Sequence, residues 1–92
     1  MQAKKILIAE DERDIRDLIE FSLTFAGFEV VTAVDGQDAV EKALVVKPDL
    51  IMMDVRMPRM TGYEACAKMK TMDEIKDILL IPFHIFIITD FF

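Results

Sequence analysis

Three short apolar runs constrain this chain more than any other feature: Lys4 to Ala9, Phe28 to Ala33 and Leu50 to Met53. The first and third lack the polar alternation of a half-exposed strand. They read as strands of a parallel sheet covered on both faces. Between the runs lie segments of helical period. Arg13 to Ala26 places Ile15, Leu18, Ile19, Ser22 and Phe25 or Ala26 on one face, and Gly27 stops it. Asp11 is the expected cap of this helix, and Asp14 adds charge suited to its N-terminus. Asp35-Gly36 forms a turn. Gln37 to Val46 then predicts a second helix with Ala39, Val40, Ala43 and Leu44 inward. Tyr63 to about Met72 predicts a third, followed by a polar connection, Asp73 to Asp77. Strand and helix alternate with short links, which predicts an α/β fold with a doubly wound parallel sheet.

The bulk properties narrow the function. A length of 92 residues allows one domain, 1–92. A net charge of −6 disfavours a nucleic-acid surface and suits cation binding. The lone cysteine, Cys66, makes no intrachain disulfide and fits a reducing, cytoplasmic setting. Its helical surroundings of Ala and Met mark it as a small core residue. The apolar stretch from Ile78 to Phe92 is too short and too interrupted by Pro82, His84, Thr89 and Asp90 to span a membrane.

The chemistry gathers at the strand ends. In an open parallel sheet, ligands bind at the carboxyl ends of the strands. The first strand ends in Glu10-Asp11 and the third in Asp54. Singly, each acid reads as a helix cap or a solvated charge. If the first and third strands are neighbours, three carboxylates converge and repel. A hard divalent cation resolves that repulsion, and Mg²⁺ takes one or two carboxylates, a carbonyl and retained water. Such a site suits phosphoryl transfer to a carboxylate.

The segment Ile6-Leu7-Ile8-Ala9-Glu10-Asp11-Glu12 resembles the first strand and acidic pair of response-regulator receiver domains. The segment Leu50-Ile51-Met52-Met53-Asp54-Val55-Arg56-Met57-Pro58-Arg59-Met60-Thr61-Gly62-Tyr63-Glu64 resembles their phosphorylation-site segment. Val34-Asp35-Gly36 and Lys47-Pro48-Asp49-Leu50 match in the same order. The resemblance runs from about Lys4 to Asp77.

It implies a flavodoxin-like receiver fold with strand order about 2-1-3 and a fourth strand to follow. It implies Asp54 as phosphoacceptor, Asp11 as a direct Mg²⁺ ligand, Glu10 as a ligand through water, and the Arg56 backbone carbonyl as a further ligand. Met57-Pro58 would shape the loop, and Thr61-Gly62 the turn into the third helix. The donor would be the phosphohistidine of a sensor histidine kinase. The chain would be a signalling switch and not an enzyme, apart from accepting its own phosphoryl group. It would contact neither nucleic acid nor membrane directly.

The chain departs from the family after Asp77. Ile85 to Thr89 has the pattern of the fourth strand, with Thr89 as the switch hydroxyl, but it comes several residues late. His84 has no second histidine to pair with. No residue matches the family's later Lys-Pro segment. Residues 78–92 therefore read as an atypical apolar tail, a fourth strand or an association segment. The expectation is a homo-oligomer formed through that C-terminal segment. Two alternatives to the switch stand beside it. One is a truncated receiver fragment that no longer switches and acts only through protein association. The other is an Asp-nucleophile phosphatase, weakened because the second Asp it wants falls at Arg56.

Overall fold

Strand β1, Lys5–Ala9, is buried at four of its five positions, as its unbroken apolar run requires. In the computed structural model, which describes residues 3–57 and 59–83, it is the hub of a parallel sheet. Strand β2, Glu29–Ala33, pairs along one side of it, with Ala9 opposite Ala33. Strand β3, Leu50–Asp54, pairs along the other, with Ala9 opposite Met53. A fourth strand, β4, Leu79–Phe83, pairs with β3 and gives the order β2-β1-β3-β4. Helices α1 (Arg13–Phe25), α2 (Gly36–Val46) and α3 (Gly62–Met69) make the crossovers. This is the flavodoxin-like arrangement. From β1 the chain steps outward to β2, then returns past β1 to β3. That reversal puts α1 on one face and α2 and α3 together on the other.

The main core lies under α2 and α3. Leu7, Ala9, Ile51 and Met53 point from β1 and β3 toward Ala39, Val40 and Ala43 of α2 and Ala65 and Met69 of α3. The inner face expected for the second helix is the one observed. Cys66 packs at the margin of this core, and burial pushes its thiol up.

Three expectations need correction. The first is the inner face of α1. Ile15, Ile19 and Leu23 are half-buried, whereas Leu18 and Phe25 are 64% and 85% exposed and Ser22 also faces out. The helix rests on β1 and β2 by one narrow stripe, and Phe21 and Phe25 stack on each other outside it. The second is the cap. Glu12, not Asp11, is the N-cap residue, and no side chain caps the helix. The third is the fourth strand, which is present already at Leu79–Phe83, ahead of the Ile85 to Thr89 segment, and that segment lies outside the described residues. Its register puts Phe83 opposite Asp54, and the Phe83 carbonyl accepts from the Val55 N–H at 2.9 Å. Pro82 is tolerated because β4 is an edge strand among the described residues. Pro58, His84 and Thr89 lie outside the described residues, as does most of the expected association segment.

The loop between β3 and α3 is held at both ends by close backbone approach. Gly62, the first residue of α3, packs on the β3 backbone, where a Cβ would fall 2.4 Å from the Asp54 carbonyl oxygen. Gly36, the first residue of α2, packs on the same loop, with a virtual Cβ 2.3 Å from the Met60 carbonyl oxygen. Beside it, Asp35 caps α2 by accepting from the Asp38 N–H at 2.8 Å through Oδ1. Its other oxygen, Oδ2, accepts from Arg59 Nε at 2.8 Å and also from Arg59 Nη2. The Asp38 N–H, and after it the Arg59 guanidinium, hold the Asp35 carboxyl below its ordinary value, against the opposing effect of burial.

Two outcomes follow from this packing. Gly62→Ala forces a methyl into β3 backbone and lowers unfolding stability by about 2 kcal/mol, read from urea denaturation. Asp35→Asn keeps the cap oxygen but loses the charge. A carboxyl with a depressed folded pKa stabilises above its unfolded value, and the contribution is lost as pH falls through the folded value. The wild type is therefore the more stable near neutrality, by about 1 kcal/mol, and the gap closes as pH falls below the ordinary aspartate value of 3.8. Thermal unfolding of both proteins between pH 2 and 7 checks it.

Candidate metal and phosphoacceptor site

The site lies at the point where the sheet reverses direction, between the carboxyl ends of β1 and β3. Because Ala9 stands opposite Met53, the next residues, Glu10 and Asp54, come side by side. Asp11 follows at the rim. Carboxylate oxygens of Glu10, Asp11 and Asp54 all lie within 4.8 Å of one another. Glu10 and Asp54 are buried, at 1% and 4% exposure, and Asp11 is exposed. The structure thus brings together the three acids expected from the sequence.

Their electrostatics are those of an unbalanced cluster. Glu10 Oε2 is buried with no hydrogen-bond partner. Burial, then the hydrogen bond and charge of Asp54, then the charge of Asp11, push the Glu10 carboxyl up to about 9. An orphaned buried oxygen in an all-oxygen donor set is what a hard cation satisfies, and the residues present fit Mg²⁺.

Backbone contacts fix the acids in place. The Glu10 N–H donates to the Ala33 carbonyl at 3.0 Å. The Glu10 carbonyl accepts from Arg16 Nη1 at 2.9 Å, and the Asp11 carbonyl accepts from the same nitrogen at 3.4 Å. Asp54 Oδ1 accepts from the Arg56 N–H at 3.0 Å, so Arg56 stands next to the acceptor through its backbone. Thr61 ends the loop in a reciprocal cap. Its Oγ1 accepts from the Glu64 N–H, and its own N–H donates to Glu64 Oε1, both at 3.1 Å.

Sequence reasoning missed two of these supports, Arg16 and the Asp35–Arg59 pair. Arg16 had a local signal, being one helical turn beyond the acidic pair. Asp35 and Arg59 are 24 residues apart, so only the fold brings them together. Among the described residues, no helix is long and apolar enough to cross a membrane.

Comparison with known proteins places this geometry. Residues 6–85 match the response regulator receiver domain family. The chain is 40% identical over 78 residues to the alkaline phosphatase synthesis transcriptional regulatory protein PhoP of Bacillus subtilis, covering 85% of this chain and 32% of that protein. It is also 40% identical over 77 residues to the probable transcriptional regulator ycf27 of Cyanophora paradoxa, again covering 32% of the relative. The chain thus spans about a third of the length of these curated relatives. Among solved structures, the chemotaxis protein CheY4 of Vibrio cholerae superposes with a TM-score of 0.84 at 34% identity, covering 88% of this chain and 68% of that one. The receiver domain of the sensor histidine kinase PA1611 of Pseudomonas aeruginosa, solved with a magnesium ion coordinated in its active site cleft, gives 0.84 at 30% identity, with 88% and 66% covered. With an all-parallel β2-β1-β3-β4 sheet, an acidic cluster at its reversal point and a family match over residues 6–85, the chain belongs to the response regulator receiver domain family.

Proposed function

We propose that the chain is a phospho-accepting signalling switch, taking a phosphoryl group on Asp54 from the phosphohistidine of a sensor histidine kinase, with Mg²⁺ as cofactor. The observation that carries this reading is the convergence of Glu10, Asp11 and Asp54 within 4.8 Å around a buried oxygen that lacks a partner. Asp11 and Asp54 would hold the cation directly, Glu10 through water, and the Arg56 carbonyl would complete the protein ligands. When bound, the cation neutralises charge on the transferring oxygens and on the acids around them.

The remaining chemistry belongs to this chain's own groups. An Asp54 carboxylate oxygen forms the new O–P bond as the donor's P–N bond breaks, and the leaving imidazole takes up a proton. The Arg56 N–H orients the Asp54 carboxylate by binding Oδ1 at 3.0 Å. Arg16 keeps the two acidic residues after β1 turned toward β3 by holding their carbonyls. Residues of β1 and β3 close the floor of the site, since Ala9 and Met53 are fully buried. The group is accepted once and not turned over, so the reading is of a switch and not an enzyme.

Intact-mass measurement after incubation with Mg²⁺ and a small acyl phosphate tests this. The wild type gains one phosphoryl adduct, Asp54→Asn gains none, and Asp11→Ala loses at least roughly tenfold in rate. A folded wild-type chain that gains no adduct is an inert, association-only receiver fragment. Multiple turnover of phosphate esters would instead make it a hydrolase.

A further inference from the structure

The loop that carries Arg56 to the acceptor, residues 55–61, is latched from outside the site. Arg59 lies on this loop in the left-handed region, at φ 64°, which is disfavoured for a residue that carries a Cβ. Its guanidinium reaches across to Asp35, 24 residues earlier, and donates through both Nε and Nη2 to the single oxygen Oδ2. Asp35 is itself held in place by its surroundings. It is 5% exposed, and its other oxygen is committed to the α2 N-cap. The next residue, Gly36, touches the Met60 carbonyl so closely that no side chain fits between them. The α2 N-terminus therefore grips the loop at two successive residues, Arg59 by charge and Met60 by contact. The loop's other end is fixed by Gly62 on the Asp54 carbonyl and by the Thr61–Glu64 capping box. Between these anchors runs the short stretch whose backbone meets Asp54.

From this geometry we infer that Asp35 and Arg59 are positioning residues for the phosphoacceptor site, a latch from the α2 N-terminus that sets where the Arg56 backbone stands against Asp54. The inference rests on the proposed function for its consequence, though not for the latch itself. Neither side chain touches the acids. They act on the loop that carries both Arg56 and Arg59, so their loss changes how well Arg56 is presented and leaves the three carboxylates in place. The latch also gives α2 a direct mechanical connection to the acceptor loop.

The test uses the full chain in three single variants and the Asp35→Asn/Arg59→Gly double variant. Asp35→Asn keeps the helix cap while removing the charge that holds Arg59. Arg59→Gly removes the guanidinium yet favours the left-handed turn, so backbone strain is not the cause of any effect. Arg59→Lys restores the charge. Two readouts are taken: hydrogen exchange of the Arg56 amide without divalent cation, and the Mg²⁺ dissociation constant by calorimetry. The expected result is Arg56 exchange faster by roughly tenfold and Mg²⁺ binding weaker by roughly tenfold in Asp35→Asn and Arg59→Gly. The double variant should be no worse than either single one, and Arg59→Lys should recover part of both effects. Unchanged Arg56 exchange overturns the latch. Faster exchange with unchanged Mg²⁺ affinity overturns its role in positioning. If the wild type binds Mg²⁺ but accepts no phosphoryl group, the proposed function fails, and these two readouts still decide the latch.

Discussion

The mutual repulsion of Glu10, Asp11 and Asp54 is the interaction on which the rest of this structure turns. A parallel sheet with order β2-β1-β3-β4 puts the ends of β1 and β3 next to each other at its reversal point. Each of those ends carries acid, and two of the three acids are buried. Nothing in a stable core asks for that. Burial and like charge raise Glu10 to about 9 and leave one of its oxygens without a partner. A protein optimised only for stability would place apolar groups there. The cost is intelligible if the position is kept for a cation and for charge that arrives with a phosphoryl group.

Much of the surrounding architecture holds that unfavourable cluster together. Arg16 ties down the carbonyls after β1, and the Arg56 N–H meets Asp54. Gly62 lets α3 begin directly against the β3 backbone, and Gly36 lets α2 press on the loop between them. The supports are backbone-directed. They fix the backbone that carries the acids, and the Arg56 N–H binds one Asp54 oxygen. The Asp35–Arg59 pair extends this frame to the N-terminus of α2, away from the acids themselves.

The sequence made the sheet and the acidic convergence legible because both rest on local patterns. Uninterrupted apolar runs mark β1 and β3, and acids stand immediately at their ends. The small residues Ala39 and Ala43 marked the inner face of α2 correctly, since close packing against a sheet needs them. The reading of α1 failed in part because its apolar residues cover more of the helix surface than its contact does. Periodicity chose Ile15 and Ile19, which the sheet takes, but also Leu18, Ser22 and Phe25 or Ala26, which stay exposed, while Leu23 joins the contact. The fourth strand lies within the stretch 78–92 that read as a tail, a fourth strand or an association segment, but it begins earlier than the Ile85 to Thr89 pattern suggested. As an edge strand, β4 accommodates Pro82. Arg16 carried a local signal beside the acidic pair, whereas the Asp35–Arg59 pair was not legible, since its partners stand 24 residues apart and only the fold joins them.

The central claim is that the three carboxylates form a site for a divalent cation. Thermal unfolding in Mg²⁺, against a sodium salt of matched ionic strength, tests it most directly. A specific site stabilises the folded chain by roughly 1.4 kcal/mol at a tenfold excess over its Kd, which moves the unfolding midpoint by several degrees in a domain of this size. The account predicts such a rise in the wild type and its loss when Asp11 and Glu10 are replaced together by Asn and Gln. A midpoint that Mg²⁺ moves no further than sodium does, or that moves equally in the doubly substituted chain, would contradict it.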